Sequence, residues 1–464
     1  MPGAHGCPLR VAVVGSGPAA FYTVQQLRQA SDLEFGVDMF ERLPAPYGLV
    51  RYGVAPDHEK IKSVTAVYDK LAASPQVRFF GNVEYGRDLG LEELRSWYHQ
   101  IVFCTGAQTD RSLGIPGEEL RGSHAATEFV AWYNGHPDFT QLTFDLNHPR
   151  AVVVGVGNVA VDVARILCRT TEELARTDIA DYALEALAAS RIEEVLLLGR
   201  RGPAQAAFTP PEAKELGELA GATVETLADE VQLDPLSRAA LEREPDKATT
   251  RKLEILRHYA SHRPAGKPRR LVIRFLVSPV ELLGDGNGRV RAARLVRNEL
   301  CLDDRGSLSS RATDGHETIE TGLVFRSVGY RGVALAGLPF DERRGVVPHE
   351  AGRVIEPATG QRLSGLYVAG WIKRGPSGVI GTNKPDAAET VRSMLADLAA
   401  GAIDGPRAEP ACVEQFLERR GVRPIRYDDW RALDAAEVAR GRATNRPRVK
   451  FTDRAAFLGA LQPR

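Results

Sequence analysis

The sequence predicts an α/β protein in which two similar units each carry a parallel β-sheet covered by helices. Short valine-rich runs, LRVAVV at residues 9–14 and AVVV at residues 151–154, are typical of strands buried on both faces of a parallel sheet. Each run leads into a glycine-rich turn, GSGPAA at residues 15–20 and GVGNVA at residues 155–160, and then into a segment with helical periodicity. The repeated strand, turn and helix indicate an internal duplication.

Length and composition agree with this fold. The 464 residues suffice for two or three domains, and 43% hydrophobic with 26% charged residues is ordinary for a soluble globular protein. Sixty basic and sixty acidic residues cancel, which excludes a general attraction to nucleic acid. No apolar run approaches the ~18 residues of a membrane helix, and the first strand begins too early to leave room for a secretory or transit peptide. We therefore expect no membrane association.

The five cysteines are scattered along the chain, and the spacing CxxC does not occur. This pattern argues against a redox cysteine pair of that type and against a cysteine-rich zinc or iron–sulfur site. We predict no metal site. Reduced thiols are typical of a reducing compartment, so we expect a cytoplasmic location.

The elements of the first unit follow in order along the chain. A helix after the first turn and a second strand, GVDMFE at residues 36–41, complete a β-α-β unit. Residues 56–74 have the spacing of one amphipathic helix, and residues 76–86 that of a pair of strands. A further buried strand is predicted within residues 98–107.

The second unit begins after a Gly/Pro-rich bend at residues 114–119. Its predicted elements are a β-α-β unit from Arg150, a helical insertion at residues 170–190, a strand at 193–201 and alternating strands at 271–331. A buried strand at residues 363–371 and a loop leading into a helix at 378–400 then return to the pattern of the first unit. Short helical pieces are expected after Gly401.

This order predicts that one domain is inserted into the other. The first domain comprises residues 1–107 and 330–464, the latter including the tail, and the inserted domain comprises residues 108–329. Because the carboxyl ends of the parallel strands carry the binding edge of each sheet, the two edges can face each other across a cleft.

The first turn has the features of a Rossmann-like dinucleotide-binding site. Gly15 permits the tight turn, Gly17 lets the backbone approach a pyrophosphate, and Ala20 allows close packing of helix and strand. The helix amino terminus adds partial positive charge. Glu41, at the end of the second strand, would accept hydrogen bonds from ribose hydroxyls and repel a 2′-phosphate. This site suits FAD or NAD and not NADP, the alternative being a glycine turn that merely packs.

The second turn repeats the glycines as Gly155 and Gly157, but the next strand ends differently. Where an acid would lie, the sequence places Arg200 and Arg201. Guanidinium groups bind a 2′-phosphate in bidentate fashion, so this site favours NADP over NAD unless the two arginines are only a solvated surface pair. Two sites of opposite charge predict a tightly held FAD and an exchangeable NADPH, with hydride transfer from nicotinamide C4 to flavin N5.

Six further motifs carry a resemblance to a known family. They are VVGSGPAAFY, PAPYGLVRYGVAPDHEKIK, GNVAVDVARIL, GRRGPAQAAFT, RSVGYRG and VAGWIKRGPSGVIGTNKPDA, which together span residues 9 to about 400. The sequence resembles the NADPH–ferredoxin reductases of the adrenodoxin reductase type, including their bacterial relatives. The resemblance implies an FAD-dependent NADPH:ferredoxin oxidoreductase, which passes electrons singly to an iron–sulfur ferredoxin.

The resemblance also implies roles for matching residues. Contacts to FAD are implied for Ala19, Glu41, Leu49 and Val83, and positions against or near the isoalloxazine for Trp371, Gly378, Val379 and Ile380. Contacts to NADP are implied for Gly155, Val156, Gly157, Asn158, Arg200, Arg201 and Glu212, with Gly378 approaching the nicotinamide. The match departs at Pro210 and Pro211, which could shift the backbone before Glu212.

The residues themselves support part of these assignments. The amides of the loop after Gly378, with Pro385 in the first turn of the following helix, would stabilise negative charge on a reduced flavin. Trp371, predicted to end a buried strand, offers a flat face for stacking, or is an ordinary core tryptophan.

Two residues at the start of the helix predicted at residues 56–74 have more than one interpretation. Asp57 is expected to be the N-cap of that helix. His58 is either a surface residue or, as the resemblance implies, lies near the flavin–nicotinamide contact together with Glu215. Hydride transfer needs no general base, so His58 and Glu215 are predicted to modulate the rate.

The electron acceptor is predicted to be an acidic ferredoxin that docks on a basic surface, although the same charge run also fits a solvated helix face. The candidate residues are Arg251, Lys252, Arg257, His258, His262, Arg263, Lys267, Arg269, Arg270, Lys373 and Arg374. Such docking weakens steeply with salt.

Three other functions are alternatives to this one. A disulfide reductase needs a redox cysteine pair beside the flavin, and a glutamate-synthase-like small subunit normally brings a cysteine-rich cluster segment, neither of which the sequence contains. A flavin-bound redox sensor or binding module without rapid turnover remains as the alternative from a different functional class.

Overall fold

The computed structural model describes residues 2–30, 33–262, 266–406 and 412–461. Its strands are β1 (Leu9–Val14), β2 (Phe35–Glu41), β3 (Val77–Gly81), β4 (Gln100–Phe103), β5 (Thr109–Asp110), β6 (Ser123–Ala125), β7 (Arg150–Val154), β8 (Glu194–Gly199), β9 (Ala222–Thr226), β10 (Arg269–Phe275), β11 (Val277–Gly284), β12 (Val290–Leu302), β13 (Leu308–Glu320), β14 (Leu323–Arg326), β15 (Tyr330–Arg331), β16 (His349–Glu350), β17 (Arg353–Ile355) and β18 (Arg362–Val368).

Its α-helices are α1 (Pro18–Arg28), α2 (Leu49–Tyr52), α3 (Glu59–Lys62), α4 (Thr65–Ala72), α5 (Leu91–Trp97), α6 (Ala126–Tyr133), α7 (Asn158–Cys168), α8 (Thr171–Leu174), α9 (Asp181–Ala188), α10 (Pro210–Leu216), α11 (Pro235–Arg243), α12 (Lys247–Ser261), α13 (Trp371–Arg374), α14 (Asn383–Ala399), α15 (Cys412–Arg419), α16 (Tyr427–Ala443) and α17 (Arg454–Gly459). Two 3-10 helices cover Pro203–Gln205 and Ile380–Thr382. Within the described ranges, no helix is long and apolar enough to cross a membrane.

The first sheet has the strand order β16-β17-β18-β4-β1-β2-β3 among the described residues. The strands from β18 to β3 are parallel, and β16 and β17 extend the sheet in antiparallel fashion. Leu9, Val11 and Val13 belong to the core on one face, whereas Ala12 and Val14 belong to the core on the other. Both faces of β1 are therefore buried, which explains why its sequence is apolar without alternation.

The second sheet has the order β6-β14-β7-β8-β10-β9 in the part of the chain that the structure describes, and every neighbouring pair is parallel. All of its strands come from the chain between β4 and β16 of the first sheet. Short strands β5 and β15 pair with each other at the two crossings between the sheets. A separate antiparallel ribbon of β11, β12 and β13 follows β10.

Three local predictions were wrong, each for a local reason. The helix predicted at residues 56–74 is divided into α3 and α4, because the hydroxyls of Ser63 and Thr65 donate to carbonyls three residues earlier and compete with helical hydrogen bonding. The pair of strands predicted at residues 76–86 is the single strand β3, because the chain turns at Asn82, where φ is 59°. Trp371 begins α13 rather than ending a strand, because Gly370 turns the chain with φ of 80°.

The tail after Gly401 contains a longer helix than expected, the 17-residue α16. Its buried Glu437 accepts hydrogen bonds from both terminal nitrogens of Arg51, at 2.6 and 3.0 Å, beside the first sheet. Lys450 and Arg446 reach the chain of the second sheet, where they contact Asp178 at 3.1 Å and the Thr177 carbonyl at 3.0 Å. The tail thus contacts both parts of the molecule.

Candidate functional site

The two glycines of the first turn differ in the space available beside their backbone. Gly15 has φ of 104°, and a Cβ there would lie 2.5 Å from the Cys104 carbonyl oxygen at the end of β4. A Cβ on Gly17 would meet nothing within 4 Å. The backbone of Gly17 therefore faces open space at the amino end of α1, where a phosphate can approach it closely.

Glu41 lies beside this turn, as the spacing predicted. One carboxylate oxygen accepts hydrogen bonds from the Ser16 hydroxyl at 2.6 Å and the Ser16 amide at 3.1 Å, and the other accepts from the Leu43 amide at 2.9 Å. These bonds fix the buried carboxylate next to the turn. The amide of buried Val83 donates to the Glu41 carbonyl at 2.9 Å, so the structure brings this predicted residue to the same edge.

The other residues predicted for the first site lie on helices at this edge. Ala19 and Ala20 are buried in the first turn of α1, and Leu49 is the first residue of α2. The turn between β18 and α13 also reaches this edge, because a Cβ on Gly370 would lie 2.6 Å from the Ala19 side chain. This edge is thus built from residues that precede the second sheet in the sequence and from residues that follow it.

The second turn repeats the geometry of the first. Gly155 has φ of 128°, and a side chain there would clash with the Ser327 carbonyl at the end of β14, whereas Gly157 again faces open space. The side-chain oxygen of Asn158, at the start of α7, is buried and has no hydrogen-bond partner among the described residues. A buried acceptor without a partner at this position is suited to a ligand that brings a donor.

Arg200 and Arg201 follow β8 directly, at the place equivalent to Glu41. Arg200 is exposed and Arg201 is half-buried, and neither guanidinium takes part in a hydrogen bond or ion pair within the described part of the chain. Burial lowers the pKa of Arg201, and the charge of Arg200 lowers it further. Two like charges held together without a counter-ion form a strong site for an anion.

Glu212 has a local role that the prediction did not include. Its carboxylate accepts hydrogen bonds from the Thr209 amide at 2.7 Å and the Thr209 hydroxyl at 3.0 Å, as a capping box at the start of α10. Pro210 and Pro211 occupy the first turn of that helix, where proline is well tolerated, so they begin the helix rather than distort it. Burial raises the pKa of Glu212.

His58 joins the two parts of the molecule. It precedes α3, and its Nε2 lies 2.9 Å from a Glu215 carboxylate oxygen on α10, while its Nδ1 lies 3.8 Å from Asp162 on α7. The structure thus brings the two predicted modulators, His58 and Glu215, into direct contact. It adds Asp162 as a third member that the sequence analysis missed.

Burial and neighbouring charges shift the pKa values of the titratable side chains in this cluster. Burial lowers the pKa of His58, but the hydrogen bond with Glu215 and the charges of Asp162 and Asp57 outweigh it and raise the pKa above its ordinary value. The same hydrogen bond lowers the pKa of Glu215. Burial raises the pKa of Asp162, although Arg165 and His58 partly oppose this. The imidazolium form of His58 is therefore favoured in the folded protein.

The prediction that Asp57 is an N-cap was wrong. Its carboxylate accepts hydrogen bonds from Arg165 at 2.6 and 3.0 Å and from Arg169 at 2.5 Å. Burial opposes the charge of Asp57, but the two arginines hold the pKa of this carboxyl well below its usual range. The signal that could have found these partners is the presence of charged residues within the apolar sequence of α7.

The residues predicted near the flavin lie on α13 and in the segment between α13 and α14. The Trp371 indole donates to the Ser377 carbonyl at 3.1 Å, and its ring centroid lies 5.3 Å from that of Tyr330. Gly378 has φ of 79°, and Val379 leaves 60% of its surface exposed just before the 3-10 helix that begins at Ile380. Pro385 is in the first turn of α14, as predicted.

Only part of the predicted basic surface is available to a partner. The prediction for Lys373 was wrong, because this side chain is 2% exposed and contacts Glu389 at 2.7 Å and Asp386 at 3.2 Å. Lys252 is likewise buried. Arg251 and Arg257 are exposed on α12, with Arg251 2.7 Å from Glu254.

The other predicted basic residues differ in their surroundings. Arg374 is largely buried, and its guanidinium contacts Asn383 at 3.1 Å. Lys267, Arg269 and Arg270 have partners within the second sheet's domain, and His258 and His262 are exposed. Arg263 lies outside the described residues. The available basic surface therefore consists of Arg251, Arg257, His258 and His262.

The described residues contain no cluster of three or more histidine, cysteine, aspartate or glutamate side chains able to hold a metal ion. All five cysteines are unpaired, and Cys104 and Cys168 are buried. Burial raises the pKa of both thiols to about 12. These two thiols are therefore not suited to act as nucleophiles.

Comparison with known proteins places the chain in a family. Residues 9–200 match the family model described as pyridine nucleotide-disulphide oxidoreductase. The chain is 45% identical to "NADPH-ferredoxin reductase FprA" of Mycobacterium tuberculosis, covering 97% of this chain and 98% of that protein. It is 42% identical to human "NADPH:adrenodoxin oxidoreductase, mitochondrial", covering 97% and 92%.

A solved structure extends the likeness to three dimensions. The structure "Mycobacterium tuberculosis FprA in complex with NADPH" aligns with a TM-score of 0.92 at 45% identity, covering 98% of this chain and 99% of that one. Identity of this degree over nearly the whole length is sufficient to assign a family. The chain therefore belongs to the family of NADPH-ferredoxin reductases that includes FprA and adrenodoxin oxidoreductase.

Proposed function

We propose that this protein is an FAD-dependent NADPH:ferredoxin oxidoreductase. Residues 1–107 and 330–464 form the FAD domain, and residues 108–329 form an NADP domain inserted into it. The observation that carries the proposal is the opposite charge beside two equivalent turns, with Glu41 at the first and the unpaired Arg200 and Arg201 at the second. The names of the FprA and adrenodoxin relatives agree with this pairing.

The first turn fits FAD. Gly17 leaves room for the pyrophosphate, and Glu41 is held where the ribose hydroxyls would lie. Ala19, Ala20, Leu49 and Val83 line the same edge. Across it, Trp371 and the backbone from Gly378 to Ile380 would lie against or near the isoalloxazine.

The second turn fits NADPH. Gly155, Val156 and Gly157 form the turn, and Gly157 gives the pyrophosphate access to the amino end of α7. The buried Asn158 oxygen gains a partner from the cofactor. Arg200 and Arg201 bind the 2′-phosphate. Glu212, fixed at the start of α10, lies on the path toward the nicotinamide, and Gly378 approaches the nicotinamide from the other domain.

The residues between the sites position the two cofactors and do not perform covalent chemistry. Bound FAD supplies the conversion from a two-electron donor to a one-electron acceptor. His58 and Glu215 hold the domains together and keep positive charge close to the region where the two cofactors meet. The amino end of α14 presents backbone amides that stabilise negative charge. His58 and Glu215 therefore modulate the rate of electron transfer, and the reaction does not require them.

The acceptor is an acidic iron–sulfur protein of the ferredoxin class. The exposed Arg251 and Arg257 on α12, with the two histidines near them, provide the basic surface on the NADP domain. Electrostatic attraction of this kind is screened by salt within about 10 Å at 0.1 M. Five unpaired thiols fit a reducing compartment, and we place the enzyme in the cytoplasm.

A coupled assay tests the proposal. Purified FAD-loaded protein should reduce cytochrome c rapidly with NADPH only when a ferredoxin from the same organism is added, and the rate should fall steeply above ~0.2 M salt. The Arg251→Ala and Arg257→Ala variants should show weaker salt dependence, with Arg10→Ala as a distant control. Ferredoxin-independent cytochrome c reduction at the same rate would contradict the proposal.

A further inference from the structure

The segment from Arg200 to Phe208, here called the arginine loop, is fixed by the protein at both ends. It leaves β8, makes the 3-10 turn Pro203–Gln205 and leads to α10. Because neither guanidinium group has a hydrogen-bond or ion-pair partner among the described residues, the backbone of the loop sets the positions from which the two side chains extend. The contacts that hold this backbone therefore influence whether Arg200 and Arg201 are already positioned to bind a 2′-phosphate.

Asn298 holds the first end of the loop. Its side-chain amide donates to the Arg200 carbonyl at 3.0 Å and to the Ser278 hydroxyl at 2.7 Å. Asn298 is buried on β12, beside a register shift in the ribbon. A buried side chain that donates to the carbonyl of a binding residue fixes that residue without touching its ligand.

A strained residue holds the next carbonyl. Leu276, between β10 and β11, has φ of 56°, a conformation that costs energy for a residue with a branched side chain. In this conformation its amide donates to the Arg201 carbonyl at 3.2 Å, and its own carbonyl accepts from the Asn298 amide at 2.7 Å. Asn298 and Leu276 thus hold the two arginine carbonyls as one unit.

Lys252 holds the far end of the loop. This lysine on α12 is 6% exposed, and its ammonium donates to the Ala206 carbonyl and lies 5.8 Å from the centre of the Phe208 ring. No carboxylate forms an ion pair with it among the described residues. A buried lysine whose ammonium donates to a backbone carbonyl and not to a carboxylate is unusual, because desolvating the ammonium is costly.

The loop is also joined to the second turn. The Val156 carbonyl, between Gly155 and Gly157, accepts hydrogen bonds from the Ala207 amide at 2.9 Å and the Phe208 amide at 3.2 Å. The positions of the 2′-phosphate and pyrophosphate sites are therefore linked through the backbone that Lys252 and Asn298 hold.

We propose that Lys252 and Asn298 are positioning residues that determine selectivity for the 2′-phosphorylated dinucleotide. They keep the arginine loop in its binding conformation before the cofactor arrives, so that less conformational entropy is lost when the phosphate binds. This inference rests on the proposed binding of the 2′-phosphate by Arg200 and Arg201.

Binding of two small probes tests the inference without reference to activity. The probes are 2′,5′-ADP (adenosine 2′,5′-bisphosphate) and 5′-AMP, which differ only in the 2′-phosphate, and their binding is measured by titration calorimetry on the FAD-loaded protein. The Lys252→Met and Asn298→Ala variants should each bind 2′,5′-ADP roughly five- to tenfold more weakly, the effect of losing one buried hydrogen bond, and should bind 5′-AMP with little change. In turnover, the KM for NADPH should rise with kcat nearly unchanged.

Matched controls separate positioning from general damage. Lys247→Met removes an exposed lysine from the same helix, and Asn287→Ala removes an exposed asparagine from the same ribbon, and both should leave the two affinities unchanged. If Lys252→Met folds poorly, Lys252→Gln keeps a donor without the charge and should retain most of the preference. The preference is a ratio measured on one preparation, so a partly folded fraction does not affect it.

Two results would overturn the inference, and they are distinguishable. If Arg201→Ala leaves the preference for 2′,5′-ADP unchanged, the proposed binding of the 2′-phosphate by Arg200 and Arg201 is wrong. The inference, which rests on that binding, is then wrong as well. If Arg201→Ala abolishes the preference but Lys252→Met and Asn298→Ala preserve it, or weaken both probes equally, then only the positioning role is wrong.

Discussion

Glu41 and Arg201 occupy equivalent places after the two turns, and they differ in charge. Glu41 is fixed by hydrogen bonds to its own turn, whereas the side chains of Arg200 and Arg201 are without partners in the described chain. A carboxylate repels a phosphate and a guanidinium attracts it. At the scale of single residues, this difference in charge is the basis on which we propose FAD for the first turn and NADPH for the second.

The Glu41 carboxylate should be essential for flavin retention. Glu41→Leu removes the acceptor for Ser16 and Leu43 and for the ribose, so we expect the purified variant to lose most of its FAD on gel filtration. The flavin-to-protein absorbance ratio measures this directly. Glu92→Leu, at an exposed position on α5 of the same domain, is the control, and full flavin occupancy in Glu41→Leu would contradict the assignment.

The His58–Glu215 contact should depend on pH. Because the pKa of His58 is raised in the folded state, the contact stabilises the protein fully below the ordinary histidine value of 6.5 and loses this effect as pH rises through the raised pKa. The Tm difference between the native protein and His58→Gln should therefore be larger near pH 6 than near pH 9, with a contribution of roughly 1–3 kcal/mol at low pH. A difference that grows with pH would contradict this assignment.

Helix α7 connects the second turn with the contact between the domains. It begins at the turn with Asn158 and carries Asp162 and Arg165, and Arg169 follows its last residue. Arg165 is 0% exposed and contacts both Asp57 and Asp162. One helix therefore begins at the proposed pyrophosphate site and contacts the other domain along its side.

Removing the central arginine of this helix should be costly. Arg165→Met leaves the carboxylates of Asp57 and Asp162 buried with less compensation, which costs roughly 3–5 kcal/mol. Urea unfolding should show a lower midpoint, whereas the exposed Arg176→Met should match the native protein. An unchanged midpoint for Arg165→Met would show that this cluster does not stabilise the fold.

The helices and strands could be predicted from the sequence where neighbouring residues determine them. The strand, turn and helix at residues 9–28 and at 150–168 depend on neighbouring residues, and the structure has them where the sequence placed them. The partners of Asp57 were not predictable, because Arg165 lies 108 residues away in sequence and meets it only after the domains pack. Lys373 was misjudged because its burial depends on the packing of α13 on α14.

In the whole molecule, the tail connects the two domains. Glu437 accepts hydrogen bonds from Arg51, beside the first sheet, whereas Lys450 contacts Asp178 at 3.1 Å and the Asn134 carbonyl at 3.2 Å, both in the chain of the second sheet. The sequence could not indicate this role, because Arg51 and Glu437 are 386 residues apart in sequence. The contacts of the tail therefore bridge the two parts of the molecule.

Loss of the Lys450 contacts should loosen the domains. Lys450 is 1% exposed, and Lys450→Met keeps its length but removes the ammonium from Asp178, which retains Lys62 at 2.7 Å. We expect a loss of at least roughly 1–3 kcal/mol and faster limited proteolysis between the domains, because the contacts of the ammonium with Asp178, Asn134 and the Arg51 carbonyl are all lost. The exposed Lys70→Met is the control, and native proteolysis rates for Lys450→Met would refute the role.

Anaerobic stopped-flow reduction of the FAD-loaded protein tests the central claim most directly. Mixed with NADPH, the flavin absorbance should bleach rapidly, and with equal NADH it should bleach at least about tenfold more slowly at subsaturating concentration, because NADH lacks the phosphate that the arginine pair binds. Slow bleaching with both nucleotides would favour a redox sensor without rapid turnover. Equal rates with both, or a preference for NADH, would contradict the assignment of the second turn to NADPH.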